Sequence, residues 1–128
     1  MAVPTILVVD DNLTNLKLAC YVLDSEGYSV LRAGNASEAT SILAQSQPDL
    51  ILMDIQMPGM DGLALTRILK ADPKFSSIRI VALTSFAMTG DEHRARTAGC
   101  DGYITKPIDA HNFPLQVAAF LPPASTPK

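Results

Sequence analysis

The stretch "DLILMDIQMPGMDG", residues 49–62, sets the apolar run Leu50–Met53 against a carboxylate, Asp54, and then turns with Pro58, Gly59 and Gly62. A continuous apolar run bounded by turn residues reads as a strand covered on both faces, the pattern of a central parallel strand. An acid closing such a strand is costly to bury unless something compensates its charge. The neighbouring segments supply candidates for that compensation.

Four further short runs read as strands: "TILVVD" (5–10), "YSVLRA" (28–33), "IRIVALT" (78–84) and "DGYIT" (101–105). Helix-length segments alternate with them. The clearest is 13–26, where Leu13, Leu16, Cys20 and Leu23 recur at helical spacing behind a cap at Asn12. Helices are also expected over 36–46, capped by Asn35, and over 61–71, 88–98 and about 110–121. Strict β-α alternation predicts one α/β domain with a parallel sheet and right-handed crossovers. The domain is expected over 1–121, and the proline-rich end "PPASTPK", 122–128, is expected to be a disordered tail.

Composition narrows the function. A chain of 128 residues fits one domain, and at this length roughly 65–70% of the unfolded surface is buried. The net charge of −3 gives no electrostatic reason to bind nucleic acid or an anionic membrane. No apolar run approaches a bilayer span, and the start "MAVPTILVVDD" has no basic n-region, so a cytoplasmic protein without membrane insertion is expected. Cys20 and Cys100 show no metal-like spacing and read as reduced thiols partly in the core.

Open parallel sheets form sites at the carboxyl ends of their strands, and the common order 2-1-3-4-5 puts strands 1 and 3 side by side at the switch point. Strand 1 here ends in Asp10-Asp11, strand 3 in Asp54 and strand 4 in Thr84-Ser85, while Lys106-Pro107 follows strand 5. In that order three carboxylates converge, with a hydroxyl on one side and an ammonium beyond. Like charges packed so closely call for a cation, and an all-oxygen site suits Mg²⁺ or Mn²⁺. A phosphoryl group is the natural second ligand of such an ion. With no glycine-rich nucleotide loop in the chain, a carboxylate that itself receives phosphate fits the site, and Asp54 is the best placed.

"ILVVDDN", "PDLILMDIQMPGMDG", "ALTSFAM" and "GYITKPID" together resemble the receiver domain of two-component response regulators over about residues 4–121. Within that family the wording is similar to that of single-domain DivK-like and CheY-like regulators and of the receivers of hybrid histidine kinases. The resemblance implies a flavodoxin-like (βα)5 doubly wound sheet and a signalling module rather than an enzyme, apart from self-phosphorylation and autodephosphorylation at Asp54. It implies that Asp54 is the phospho-acceptor, that Asp11 binds the metal directly with Asp10 acting largely through water, and that the Gln56 backbone carbonyl is a further ligand. Thr84 would hydrogen-bond the phosphoryl oxygens, Lys106 would pair with them, and Tyr103 would swing inward on activation. Gln56 and Phe86, two positions after Asp54 and Thr84, would tune dephosphorylation. The implied partners are a histidine kinase or histidine phosphotransfer protein and a downstream protein target, with output expected by protein contact.

Bland readings stand beside these. Taken singly, Asp10 and Asp11 are helix-start acids, Thr84 a turn cap, Lys106 a solvated charge and Tyr103 a half-buried strand residue. His93 and His111 read as surface residues, and Met53, Met57 and Met60 as packing around the site loop. A small phosphatase with an aspartyl-phosphate intermediate is the alternative, although the second acid such enzymes usually carry two residues on is here Gln56. In "DAHNFPLQVAAFL" a helix capped at Asp109 would meet Pro114 in its second turn, so that helix is expected either to start late or to kink.

Overall fold

A computed structural model of the chain describes residues 3–55, 62–84, 89–105 and 108–121, with the backbone alone for 89–92. Five strands, β1 (Thr5–Val9), β2 (Ser29–Ala33), β3 (Leu50–Asp54), β4 (Arg79–Thr84) and β5 (Gly102–Thr105), form one parallel sheet in the order β2-β1-β3-β4-β5. Helices α1 (Leu13–Ser25), α2 (Ala36–Leu43), α3 (Gly62–Ala71), α4 (Thr89–Ala98) and α5 (Phe113–Phe120) alternate with them. This is the flavodoxin-like (βα)5 architecture expected of the sequence.

The central strand is buried along its whole length because both of its faces are covered. Leu50 and Leu52 join Ile6, Val8, Val81 and Leu83 in a core beneath α1 and α5, centred on Phe113, Leu23 and Val117. Ile51 and Met53 join Leu7, Val9, Ile80 and Ala82 in the opposite core with residues of α2, α3 and α4. Two cores on one sheet account for runs that are apolar throughout rather than alternating.

Helix ends follow their caps. Asn12 accepts the Asn15 N–H at 3.0 Å and Asn35 accepts the Glu38 N–H at 2.8 Å, as the cap readings required. α1 closes at Gly27, whose φ of 93° lets Gly27 and Tyr28 donate to the carbonyls of Asp24 and Leu23. Leu13, read as part of the apolar face, stands at the start of α1 and is 61% exposed, while Leu16, Ala19, Val22 and Leu23 carry the burial. α2 is shorter than expected, ending at Leu43 where Gln45 and Ser46 both donate back to the Ile42 carbonyl and Pro48 follows.

Pro114 resolves in favour of a late start. Asn112 is the cap residue and Pro114 falls in the first turn, where its missing N–H has no helical partner to lose. Asp109 organises the entry instead, its carboxylate accepting from His111 N–H and Asn112 Nδ2 and its carbonyl from Phe113 N–H. The expected tail, 122–128, lies outside the described residues.

At the opposite rim of the sheet from the acids, Lys70 of α3 donates to the Ile78 carbonyl at 2.8 Å and pairs with Asp101 at 3.0 Å. Asp101 also accepts the Ile80 N–H at 2.8 Å and donates its own N–H to the Ile80 carbonyl. The end of α3 and the amino ends of β4 and β5 are thereby tied together. Replacing Asp101 with Ala removes acceptors from an ammonium and a backbone N–H and should lower unfolding free energy by about 1–3 kcal/mol. Urea denaturation checks this, with the midpoint falling at unchanged slope.

Candidate functional site

Parallel pairing places the strand-end acids together. β1 and β3 are neighbours in a register that matches Val9 with Met53, so the next residues along, Asp10 and Asp54, leave the sheet side by side. Asp10 continues the ladder by donating its N–H to the Ala33 carbonyl at 3.1 Å. Its Oδ1 accepts the Asn12 N–H at 2.9 Å, so the acid is fixed to the residue that caps α1. Asp10 and Asp54 are 1% and 2% exposed, while Asp11 is open to solvent. One carboxylate oxygen from each of Asp10, Asp11 and Asp54 lies within 4.8 Å of the others.

Thr84 ends β4, the next strand, and is 2% exposed. In the β3–β4 register Asp54 faces Leu83, so Thr84 stands one residue beyond the acid's own level in the sheet. Tyr103 pairs with Ala82 and is half-buried against the core shared with α3 and α4. Structure therefore gathers Asp10, Asp11, Asp54 and Thr84 at the carboxyl ends of three adjacent strands, with Tyr103 on the fourth. Lys106, Gln56 and Phe86, together with Met57 and Met60, lie outside the described residues. Met53 is fully buried in the core, and His93 and His111 are exposed, in keeping with their packing and surface readings.

The donor set suits a hard divalent cation. All three potential ligands are carboxylate oxygens, two come from buried side chains held by the sheet, and the third faces solvent where an ion could keep waters. Holding buried carboxylates this close favours bound positive charge. What residue types and spacing did not reveal is how α3 meets the site: Gly62, expected to help fold the loop back, is a buried first residue of that helix. Its only trace in the sequence is a glycine where a helix former would serve better.

The cysteines take no part. Burial raises the thiol of Cys20 against the lowering effect of Arg32, and burial raises that of Cys100 against a long contact with the Thr66 hydroxyl. Both thiols stay protonated at neutral pH.

Comparison with known proteins agrees with this arrangement. Residues 6–118 match the family model described as response regulator receiver domain. The chain is 41% identical over 117 residues to the polar-differentiation response regulator DivK of Brucella anthropi, covering 91% of this chain and 95% of that one. The chemotaxis response regulator CheY4 of Vibrio cholerae shares the fold with a TM-score of 0.88 at 22% identity, over 94% of this chain and 100% of that one. The receiver domain of a Pseudomonas aeruginosa sensor histidine kinase, solved with a magnesium ion coordinated in its active-site cleft, is 30% identical with a TM-score of 0.83, over 93% and 98% of the two chains.

Three outcomes are expected. Mg²⁺ should raise the thermal midpoint, since a ligand at a hundred times its Kd stabilises by about 2.7 kcal/mol. Asp54→Asn should raise the metal-free midpoint by relieving like-charge repulsion and shrink the Mg²⁺ effect, as differential scanning fluorimetry would read. Alkylation by iodoacetamide at neutral pH should be slow at Cys20 and slower at Cys100, accelerating as pH rises and the thiols ionise, which peptide mass mapping would follow.

Proposed function

Because the chain belongs to the response regulator receiver family, we propose that it accepts a phosphoryl group on Asp54 from a phosphohistidine and signals by a change in shape. The observation that carries this reading is the convergence of Asp10, Asp11 and Asp54 within 4.8 Å where β1 and β3 end. A lone buried acid would suit many roles, but three together with a buried hydroxyl on the next strand suit phosphoryl chemistry.

An Asp54 carboxylate oxygen attacks the phosphorus in line. The new O–P bond forms as the P–N bond to the donor imidazole breaks, and the electron pair returns to the ring nitrogen, which is then protonated. Asp10, Asp11 and Asp54, with the backbone carbonyl of Gln56, would hold Mg²⁺, which supplies positive charge to the phosphoryl oxygens. Lys106 pairs with the same oxygens and Thr84 donates its hydroxyl to one of them. Gln56 and Phe86 govern the access of water that later hydrolyses the acyl phosphate.

The strand positions support a switch. A dianionic group on Asp54 draws the Thr84 hydroxyl toward it and vacates volume into which Tyr103, on the neighbouring strand, turns. α4 has little apolar packing for its length, since among its described side chains only the small Ala95 and Ala98 are buried. A population shift there presents a changed surface to a downstream protein. The donor is a histidine kinase or a phosphotransfer protein, and the receiver from a sensor histidine kinase among the structural relatives supports that class.

Intact mass measured after incubation with Mg²⁺ and a small phosphodonor tests the reading. Wild type should gain one phosphate that hydroxylamine removes, and Asp54→Asn should gain none. Phosphate uptake by Asp54→Asn equal to wild type would refute it, and steady turnover of free phosphomonoesters would favour a phosphatase.

A further inference from the structure

Gly62 stands where no other residue fits, for a reason that bears on Asp54. It is the first residue of α3 and is buried. Its φ is not in the left-handed range that demands glycine, because among the described residues only Gly27 and Gly99 have positive φ. Helix propensity alone would favour alanine over glycine here. Space decides instead: a Cβ at 62 would overlap the Asp54 carbonyl oxygen, and would stand 2.9 Å from the Asp54 carbonyl carbon and 2.8 Å from Met53 Cγ.

Two of these atoms belong to the backbone of the acceptor residue itself. That backbone lies in the central strand, bonded into β1 and β4 on either side, with the Ile55 N–H donating to the Leu83 carbonyl just past Asp54. The helix is held as firmly. Leu63, Leu65, Thr66 and Leu69 are buried, the Thr66 hydroxyl donates to the Gly62 carbonyl at 2.8 Å, and Lys70 ties the far end to Ile78 and Asp101. With both ends of α3 fixed, a side chain at 62 has no free direction in which to relax. Its misfit is delivered to the Asp54 peptide unit, and through it to the direction of the carboxylate.

We propose that Gly62 is a positioning residue for phosphoryl transfer: its missing side chain lets α3 seat on the Asp54 carbonyl and thereby aims the nucleophile. The inference rests on the reading of Asp54 as phospho-acceptor. In-line transfer is sensitive to such aim, and a displacement of about 1 Å costs on the order of a hundredfold in rate.

The test compares Gly62→Ala with Leu69→Ala, a core truncation in the same helix that lowers stability without touching Asp54. Phosphorylation by acetyl phosphate with Mg²⁺ is followed by intact mass at a temperature where circular dichroism shows both variants folded. Gly62→Ala should lose on the order of a hundredfold in limiting rate with little change in the donor concentration for half-maximal rate, while Leu69→Ala keeps the wild-type rate. Thr66→Val, which removes the hydroxyl donor to the Gly62 carbonyl without adding bulk at the site, should show a smaller loss in the same limiting rate. It decides the matter if Gly62→Ala does not fold.

A wild type that takes no phosphate overturns both this inference and the reading beneath it. A wild type that is phosphorylated, beside a Gly62→Ala that is equally fast or a Leu69→Ala that is equally slow, overturns the positioning role alone. If only Thr66→Val folds and it matches wild type, the role is likewise refuted.

Discussion

The parallel pairing of β1 with β3 is the constraint on which everything at this site depends. Val9 faces Met53 in that register, so the next residues along, Asp10 and Asp54, stand at one level of the sheet. A slip of a single residue would send either Val8 or Leu52 to the wrong core and carry one acid away from the other. Because β1 and β3 both lie inside the sheet, with β2 on one flank and β4 on the other, the register is held by apolar packing on two faces. The oily run before Asp54 is therefore what makes the acid's position reproducible.

Burying two carboxylates beside a third is unfavourable in isolation, and the fold confines that cost to one rim. Stability comes from the two cores below, and the rim is left with charge that favours a cation. The same division separates rigid from movable parts. α3 is tied at one end by Lys70 and seated at the other on the Asp54 carbonyl, whereas among the described side chains of α4 only two alanines are buried. On the proposed reading, a change of charge at Asp54 would be felt more readily by α4 than by α3.

The fold was largely legible because its signals are local and repeated. Continuous apolar strands, helical spacing and the caps Asn12 and Asn35 each mark an element within a few residues of chain. Boundaries that depend on tertiary context were less so: Leu13 follows the apolar period yet points to solvent at the rim, and α5 waits for Pro114 to fall in its first turn. The acids and Thr84 could be placed because strand ends are where this topology forms sites. Lys70 and Asp101 are 31 positions apart and nothing in the sequence pairs them. Gly62 likewise looks like a loop glycine until its distance to Asp54 is seen, since close approach between residues is a property of packing rather than of pattern.

The most direct measurement locates the phosphate chemically. Reduction of the phosphorylated chain with borohydride converts an acyl phosphate of aspartate to homoserine, and peptide mass spectrometry then reads the position. Homoserine at residue 54, absent without phosphodonor, is the predicted result. Homoserine at residue 10 or 11, or phosphate retained on His93 or His111, would contradict the account.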